Sequence, residues 1–220
     1  MHFLTQLNSG CIDICKNMLE SARKAGLNQD NFIIACLDQN AYDAMKKFKG
    51  AFHYADIQLT EYQDWSFDPH STFRQIVKNK WELIKKIYSA HKQLCWVDTD
   101  IVFVKNPLPI IENNSSVLFQ CDRPGSLICS GFMVFNDSPE CAALIEECGA
   151  DTAEDDQILI NNKVMKYKDR CALLDQEKFP NGYVYHTLGK KDKAIIVHNN
   201  HMVGIQEKTK KFKDNNLWFI

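Results

Sequence analysis

Two aspartates, Asp98 and Asp100, stand directly behind the apolar run Leu94-Cys95-Trp96-Val97 and directly ahead of Ile101-Val102-Phe103-Val104. In extended backbone the side chains at i and i+2 share a face, so the pair reads as two carboxylates presented together at or near the carboxyl end of a buried strand. Open α/β sheets bind their ligands at that end. Carboxylates held so close repel each other unless one is protonated or a cation lies between them. A hard divalent ion, Mg²⁺ or Mn²⁺, suits two carboxylate oxygens and completes its shell with water and phosphate oxygens. Solvated turns after strands also collect aspartates, but apolar flanks on both sides favour the metal.

A second run of interest closes the chain. Ala194-Ile195-Ile196-Val197 reads as a strand, followed by His198-Asn199-Asn200-His201-Met202-Val203-Gly204-Ile205-Gln206-Glu207-Lys208. A histidine directly after a buried strand can add a nitrogen to a carboxylate site, which Mn²⁺ tolerates better than Mg²⁺. His201 faces elsewhere if the strand continues, and is read as a non-ligand. Gly204 permits close backbone approach to a bulky ligand. Lys208, near a helix start, is placed to set its ammonium on a phosphate with the helix N-terminus assisting. Taken one at a time, a loop histidine, a turn glycine and a surface lysine are the plainer readings. Lys80 is the other cation of note: it interrupts the apolar stripe formed by Phe73, Ile76, Val77, Trp81, Leu83, Ile84, Ile87 and Tyr88. Either its ammonium snorkels outward, or it points into a cleft and meets an anion or polar ligand.

Two chemistries use such an acidic pair. Asp98 to Val102 satisfies the DxDx[T/V] string of haloacid-dehalogenase-type phosphatases, in which Asp98 would be the nucleophile. Those enzymes carry that aspartate on the first strand, whereas about ninety-five residues precede it here, and no lysine and acidic pair follows in the expected order. The alternative is glycosyl transfer from a nucleotide sugar, where a cation offsets the charge that builds on the departing diphosphate. A non-catalytic binding module with the same pocket is a third reading.

The elements that must position these groups follow from periodicity. Strand-length apolar runs alternate with helical patterns, the signature of an α/β sheet. Strands are expected at His2-Phe3-Leu4, Phe32–Leu37, Leu94–Val97, Val117–Cys121, Phe132–Phe135 and Ala194–Val197. Ile12, Cys15, Met18, Leu19 and Ala22 follow helical spacing, with Asn8 or Ser9 as N-cap and Gly26 as the stop. Further helices are expected over 41–48, 139–148, 155–162 and 206–215, and loops over 60–70 and 176–192.

Composition narrows the class. The chain has 220 residues, 45% of them hydrophobic and 25% charged, and buries roughly 70% of its unfolded surface on folding. One domain over 1–220 is expected. A net charge of −2 supplies no basic field for nucleic acid or anionic lipid, and no run approaches the ~20 apolar residues of a membrane span. The nine cysteines form no C-x-x-C pair and several sit within apolar runs, so they read as reduced thiols. With no secretion signal at the N-terminus, a cytoplasmic setting is expected.

Several segments together resemble the nucleotide-diphospho-sugar transferase family, glycosyltransferases with the GT-A fold. They are FIIACLD (32–38), KNKWELIKKI (78–87), WVDTDIVFVKNPLP (96–109), CSGFMVFND (129–137), EDDQILIN (154–161), FPNGYVY (179–185) and HNNHMVGIQEKTKKFKDNNLW (198–218). The resemblance implies an α/β fold with a Rossmann-like, mostly parallel central sheet flanked by helices, and a Mn²⁺- or Mg²⁺-dependent enzyme. Its donor would be a nucleotide sugar, with UDP the expected nucleotide, and its acceptor a glycan, a protein hydroxyl or a small molecule. Asp98 and Asp100 look like the DxD pair, with Asp98 also near the donor ribose, and His198 like the late metal ligand. Gly204 and Lys208 look like the diphosphate-binding element, and Thr5 and Asn8 like base and ribose contacts. Lys80, Ser130 and Gly131 are similar to residues lining the donor sugar. Asp156 and Gln157 resemble the pair on the sugar face opposite the leaving group. Related enzymes are mostly retaining.

Overall fold

The computed structural model describes residues 1–55, 72–112, 117–123, 127–150 and 155–220, without the side chains of 72–74 and 123. The expected loop over 60–70 lies outside the described residues. Seven strands form the main sheet: β1 (His2–Leu7), β2 (Phe32–Cys36), β3 (Ala51–His53), β4 (Leu94–Val97), β6 (Val117–Arg123), β7 (Leu127–Phe135) and β8 (Cys171–Leu173), in the order β3-β2-β1-β4-β7-β6-β8. The first four run parallel, β7 is antiparallel to both β4 and β6, and β8 returns parallel to β6. The α/β sheet expected from the alternation of runs is therefore present, and it is mostly parallel as the family resemblance implies.

Period-two alternation divides the core into two layers. Phe3, Leu7, Cys95, Val97, Phe132 and Val134 pack on one face with helix α1 (Ile12–Lys24) and helix α2 (Gln39–Met45). Leu4, Leu94, Trp96, Met133 and Phe135 pack on the other, under helices α3 (Thr72–His91), α5 (Pro139–Ala150) and α6 (Asp156–Val164). Between β4 and α5 the chain also forms β5 (Ile101–Phe103) and the single turn α4 (Leu108–Ile111). Strands covered on both faces read as continuous apolar runs, which is why FIIAC and LCWV look as they do.

Three local expectations need correction. Neither Asn8 nor Ser9 caps α1 with its side chain: a 3₁₀ turn, Ser9–Cys11, intervenes, and α1 starts at Ile12. Its stop is as expected, with Gly26 at φ +84° just beyond the last turn, a conformation that glycine adopts without steric penalty. The segment 176–192 is not featureless. It holds a π-helical turn, Tyr183–Thr187, and just ahead of it Asn181 Oδ1 accepts from the Val184 N–H at 2.9 Å. Finally, Asp98 and Asp100 are not on extended backbone. The Ile101 N–H donates to the Asp98 carbonyl at 3.2 Å, closing a tight turn between β4 and β5.

That turn is where the chain leaves the main sheet. β5 pairs antiparallel with β9 (Ile196–His198), and Ile101 lies opposite His198. The last helix, α7 (Ile205–Asp214), follows from the loop after β9. Register therefore brings a residue near the C-terminus to the mid-chain acidic turn.

Candidate active site

The acidic turn and the end of β9 bring Asp98, Asp100 and His198 together, each offering one ligand atom within 4.8 Å of the others. His198 Nε2 lies 3.3 Å from Asp100 Oδ1 and 4.0 Å from Asp98 Oδ2. The outer carboxylate oxygens are held by other groups. The Trp96 indole N–H donates to Asp98 Oδ1 at 2.7 Å, and the Lys208 ammonium donates to Asp100 Oδ2 at 2.7 Å. Both contacts leave one oxygen of each aspartate turned toward the imidazole.

The backbone is tied just as closely. The Asp98 N–H donates to the Gly131 carbonyl at 2.8 Å, and the Asn199 N–H to the Asp100 carbonyl at 3.0 Å. A β-carbon on Gly131 would collide with the His198 ring and lie 2.8 Å from Asp98 Oδ2. Gly131, expected beside the donor sugar, thus forms the wall of the acidic cluster itself. Asn199 is fully buried and also donates its amide to the Lys208 carbonyl at 3.2 Å, so it binds the acidic turn to α7.

Charge accumulates here in alternating order. Lys80 is buried, its ammonium bound to the Asp156 carboxylate and the Ser130 carbonyl (3.3 Å), and 3.5 Å from Asp98 Oδ1. It also lies over the Trp96 ring, 5.1 Å from the centroid. It does not snorkel: the anions it meets are the protein's own carboxylates. Burial opposes its charge, but Asp156 and Asp98 push its pKa up. Burial likewise opposes the charge on Asp100, yet Lys208 and His198 hold that carboxyl well below the usual range. His198, which burial alone would lower, is raised to about 10 by Asp100.

Two oxygens donated by carboxylates, an imidazole nitrogen and a site walled by a glycine fit a Mn²⁺-sized ion, with Mg²⁺ the harder alternative. A second feature lies at the end of β1. Thr5 and Asn8 are buried, and Thr5 Oγ1 and Asn8 Oδ1 find no hydrogen-bond partner among the described residues. Buried acceptors left unpaired cost free energy and suit a ligand that brings its own donors. Gly204, at φ +91°, precedes α7.

Asp156 and Gln157 open α6, where Asp155 Oδ1 accepts from the Gln157 N–H at 3.0 Å. Asp156 joins the cluster through Lys80, whereas the Gln157 amide turns to Asp122 Oδ2 at 3.4 Å. Asp122 also accepts from Asn200 at 2.9 Å and lies 3.4 Å from His201. His201 thus pairs with Asp122 and is not among the three clustered groups. Sequence reasoning missed Trp96, Asp122, Asn199 and Gln120. A polar Gln within the apolar strand VLFQC was the available signal for the last.

Residues 27–212 match the family described as nucleotide-diphospho-sugar transferase. The chain belongs to that family. Thr5 and Asn8 lie outside the matched span, whereas the acidic cluster lies inside it. Among curated proteins, this family member is similar to a UDP-galactose:fucoside alpha-3-galactosyltransferase of Dictyostelium discoideum, 23% identical over 97% of this chain and 42% of that protein. It is also similar to UDP-D-xylose:L-fucose alpha-1,3-D-xylosyltransferase 1 of Arabidopsis thaliana, 22% identical over 99% of this chain and 68% of that one. The chain thus spans less than half of the first relative. Among solved structures, galactosyltransferase LgtC in complex with donor and acceptor sugar analogs shares the fold, with a TM-score of 0.60 and 9% identity over 90% of this chain and 86% of that one. No described helix is long and apolar enough to cross a membrane.

Proposed function

We propose that the chain is a metal-dependent glycosyltransferase that moves a hexosyl or pentosyl group from a UDP-sugar to an acceptor hydroxyl with retention. The observation that carries this reading is the convergence of Asp98, Asp100 and His198, with Lys208 on the outer face of Asp100. Asp98, Asp100 and His198 would hold Mn²⁺ or Mg²⁺. Bound there, the ion supplies positive charge where the leaving diphosphate develops negative charge. Lys208, turning from Asp100 to the diphosphate, adds a second positive charge, and Gly204 leaves its backbone open to the same group. Thr5 and Asn8 accept hydrogen bonds from the base and ribose. Lys80 fixes Asp156 and Asp98 relative to each other, and Ser130 and Gly131 bound the donor sugar on that side. Asp156 and Gln157 steady positive charge on the sugar in the transition state.

The names of the relatives support a fucose-bearing glycan as acceptor. They also support retention, because UDP-galactose and UDP-xylose carry their sugars in α linkage and those relatives' names specify alpha products. With retention, no strong base has to deprotonate the acceptor.

The test is a melting panel of UDP-galactose, UDP-xylose and UDP-glucose with and without Mn²⁺, followed by NMR of the product's anomeric centre. A donor at 100 times its Kd adds about 2.7 kcal/mol of apparent stability, and only with metal present. A β product removes the retaining mechanism, and a chain stabilised by none of these donors removes the reading.

A further inference from the structure

The imidazole of His198 has two nitrogens, and only Nε2 faces the aspartates. On its other side Nδ1 lies 2.7 Å from Gln120 Oε1. Which atom of an amide is the oxygen follows from its whole set of partners. Here the Gln120 Nε2 donates to the carbonyls of Phe179 and Pro180, each at 3.1 Å. Both partners accept only, so the amide nitrogen must face them and the amide oxygen must face His198. An amide oxygen cannot donate, and Nδ1 must therefore carry a proton. Gln120 is fully buried, which leaves no water to reverse the arrangement.

The construction reaches across the fold. Gln120 sits on β6, the Phe179 and Pro180 carbonyls belong to the segment before the π-helical turn, and His198 ends β9. The His198 N–H donates to the same Pro180 carbonyl at 3.2 Å. Ring and backbone of the histidine are thus both referred to one short stretch of chain. Cys129 Sγ, 3.6 Å from Nδ1, is a weaker acceptor on the same side and does not compete with a carbonyl oxygen.

We infer that Gln120 is a positioning residue that locks His198 in the Nδ1–H tautomer and so presents the Nε2 lone pair to the cation held by Asp98 and Asp100. The inference rests on the cation reading above. A ligating histidine generally donates its other N–H to an acceptor that fixes ring orientation and raises basicity, and Gln120 supplies that acceptor from a side chain rather than from a backbone carbonyl.

Calorimetric titration of Mn²⁺ into the wild-type chain and into Gln120→Met, which keeps the volume and removes the acceptor, reads the effect directly. Loss of such a partner weakens metal binding about 10- to 100-fold, and that loss is the expected result. Equal affinities overturn this inference and leave the cation reading standing. A wild-type chain that takes up no Mn²⁺ overturns both. Because Gln120→Met takes the amide donor from the Phe179 carbonyl and leaves Pro180 only the His198 N–H, the variant can fail to fold, and a second measurement uses the wild-type chain alone. Two-bond ¹⁵N–¹H correlation of the Mg²⁺-loaded protein, with His198 assigned by its absence from His198→Asn, should show a protonated Nδ1 and an unprotonated Nε2. A protonated Nε2 with a bare Nδ1 overturns the inference.

Discussion

At position 131 the side chain has nowhere to go. A β-carbon there would lie 2.8 Å from both Asp98 Oδ2 and His198 Nε2, and in a packed interior such an intrusion costs roughly 1–3 kcal/mol through forced shifts. Gly131→Ala should therefore lower stability by about that amount in a urea melt and abolish Mn²⁺ uptake in calorimetry, since the imidazole must move away from the aspartates. Lys208 gives a prediction of mixed sign. Its ammonium neutralises Asp100 in the absence of metal and would serve the diphosphate when donor is bound. Lys208→Met should thus bind Mn²⁺ alone more tightly than wild type, because no resident cation has to leave Asp100. It should bind UDP more weakly, and parallel titrations with metal and with metal plus UDP separate the two effects.

The acidic turn is only as well placed as β5, which carries it out of the main sheet toward β9. Besides its apolar packing on α1, β5 is hydrogen-bonded to that helix through the Ser21 hydroxyl. The Phe103 N–H donates to Ser21 Oγ at 2.9 Å, and Ser21 donates in turn to the Met18 carbonyl at 2.6 Å. Ser21 is fully buried, so Ser21→Ala strands a buried N–H and should cost about 1–3 kcal/mol. Chemical denaturation measures that loss. Around the same joint Phe3, Phe32 and Phe103 make stacked and edge contacts, which hold the strand's apolar side. The C-terminal segment adds a further tie, with Asn17 donating to the Leu217 carbonyl and accepting from the Phe219 N–H. This pins the chain beyond α7 to α1, and with it the helix that carries Lys208.

Across the whole fold, the buried charges dictate how stability follows pH. With a chelator present, Asp100 has its folded pKa below the ordinary 3.8. Its contribution is present above pH 3.8 and is lost as the pH falls through the lowered value. His198 is shifted the other way, from 6.5 to about 10. Its contribution is complete below pH 6.5 and is lost as the pH rises toward 10. The Tm of the metal-free chain should accordingly be highest between about pH 4 and 6.5 as far as this cluster is concerned. The alkaline fall should be blunted in Asp100→Asn, because His198 then loses the partner that raises it most. The thiols report on packing in the same way. The cysteines are thiols rather than disulfides, and burial pushes Cys11 and Cys36 up to about 11 and Cys95 well above its ordinary value. A thiol reagent at pH 8 should react slowly with the native chain and with all nine cysteines once urea is added.

Much of this was legible in the order of residues. Runs such as FIIAC and LCWV announce strands covered on both faces, because a chain with no polar alternation has no face for water. The acidic pair, the late histidine and the lysine beyond it also stand out, since charged groups beside apolar strands require partners. What those partners are depended on chain crossings. His198 meets Asp100 only because β9 pairs with β5, and Lys80 leaves the apolar stripe for Asp156, contributed by a helix 76 residues further on. The choice between a snorkelling lysine and an inward-facing one had no local signal; the fold turns the ammonium inward, onto Asp156 and beside Asp98. Gln120 looked like one polar residue in an apolar strand. Its hydrogen bonds run to residues 59, 60 and 78 positions away. Local periodicity determines which side of a strand a group occupies, and that much belongs to the sequence. Which donor meets which acceptor is settled by pairing distant strands into one interior, and only the tertiary structure decides it.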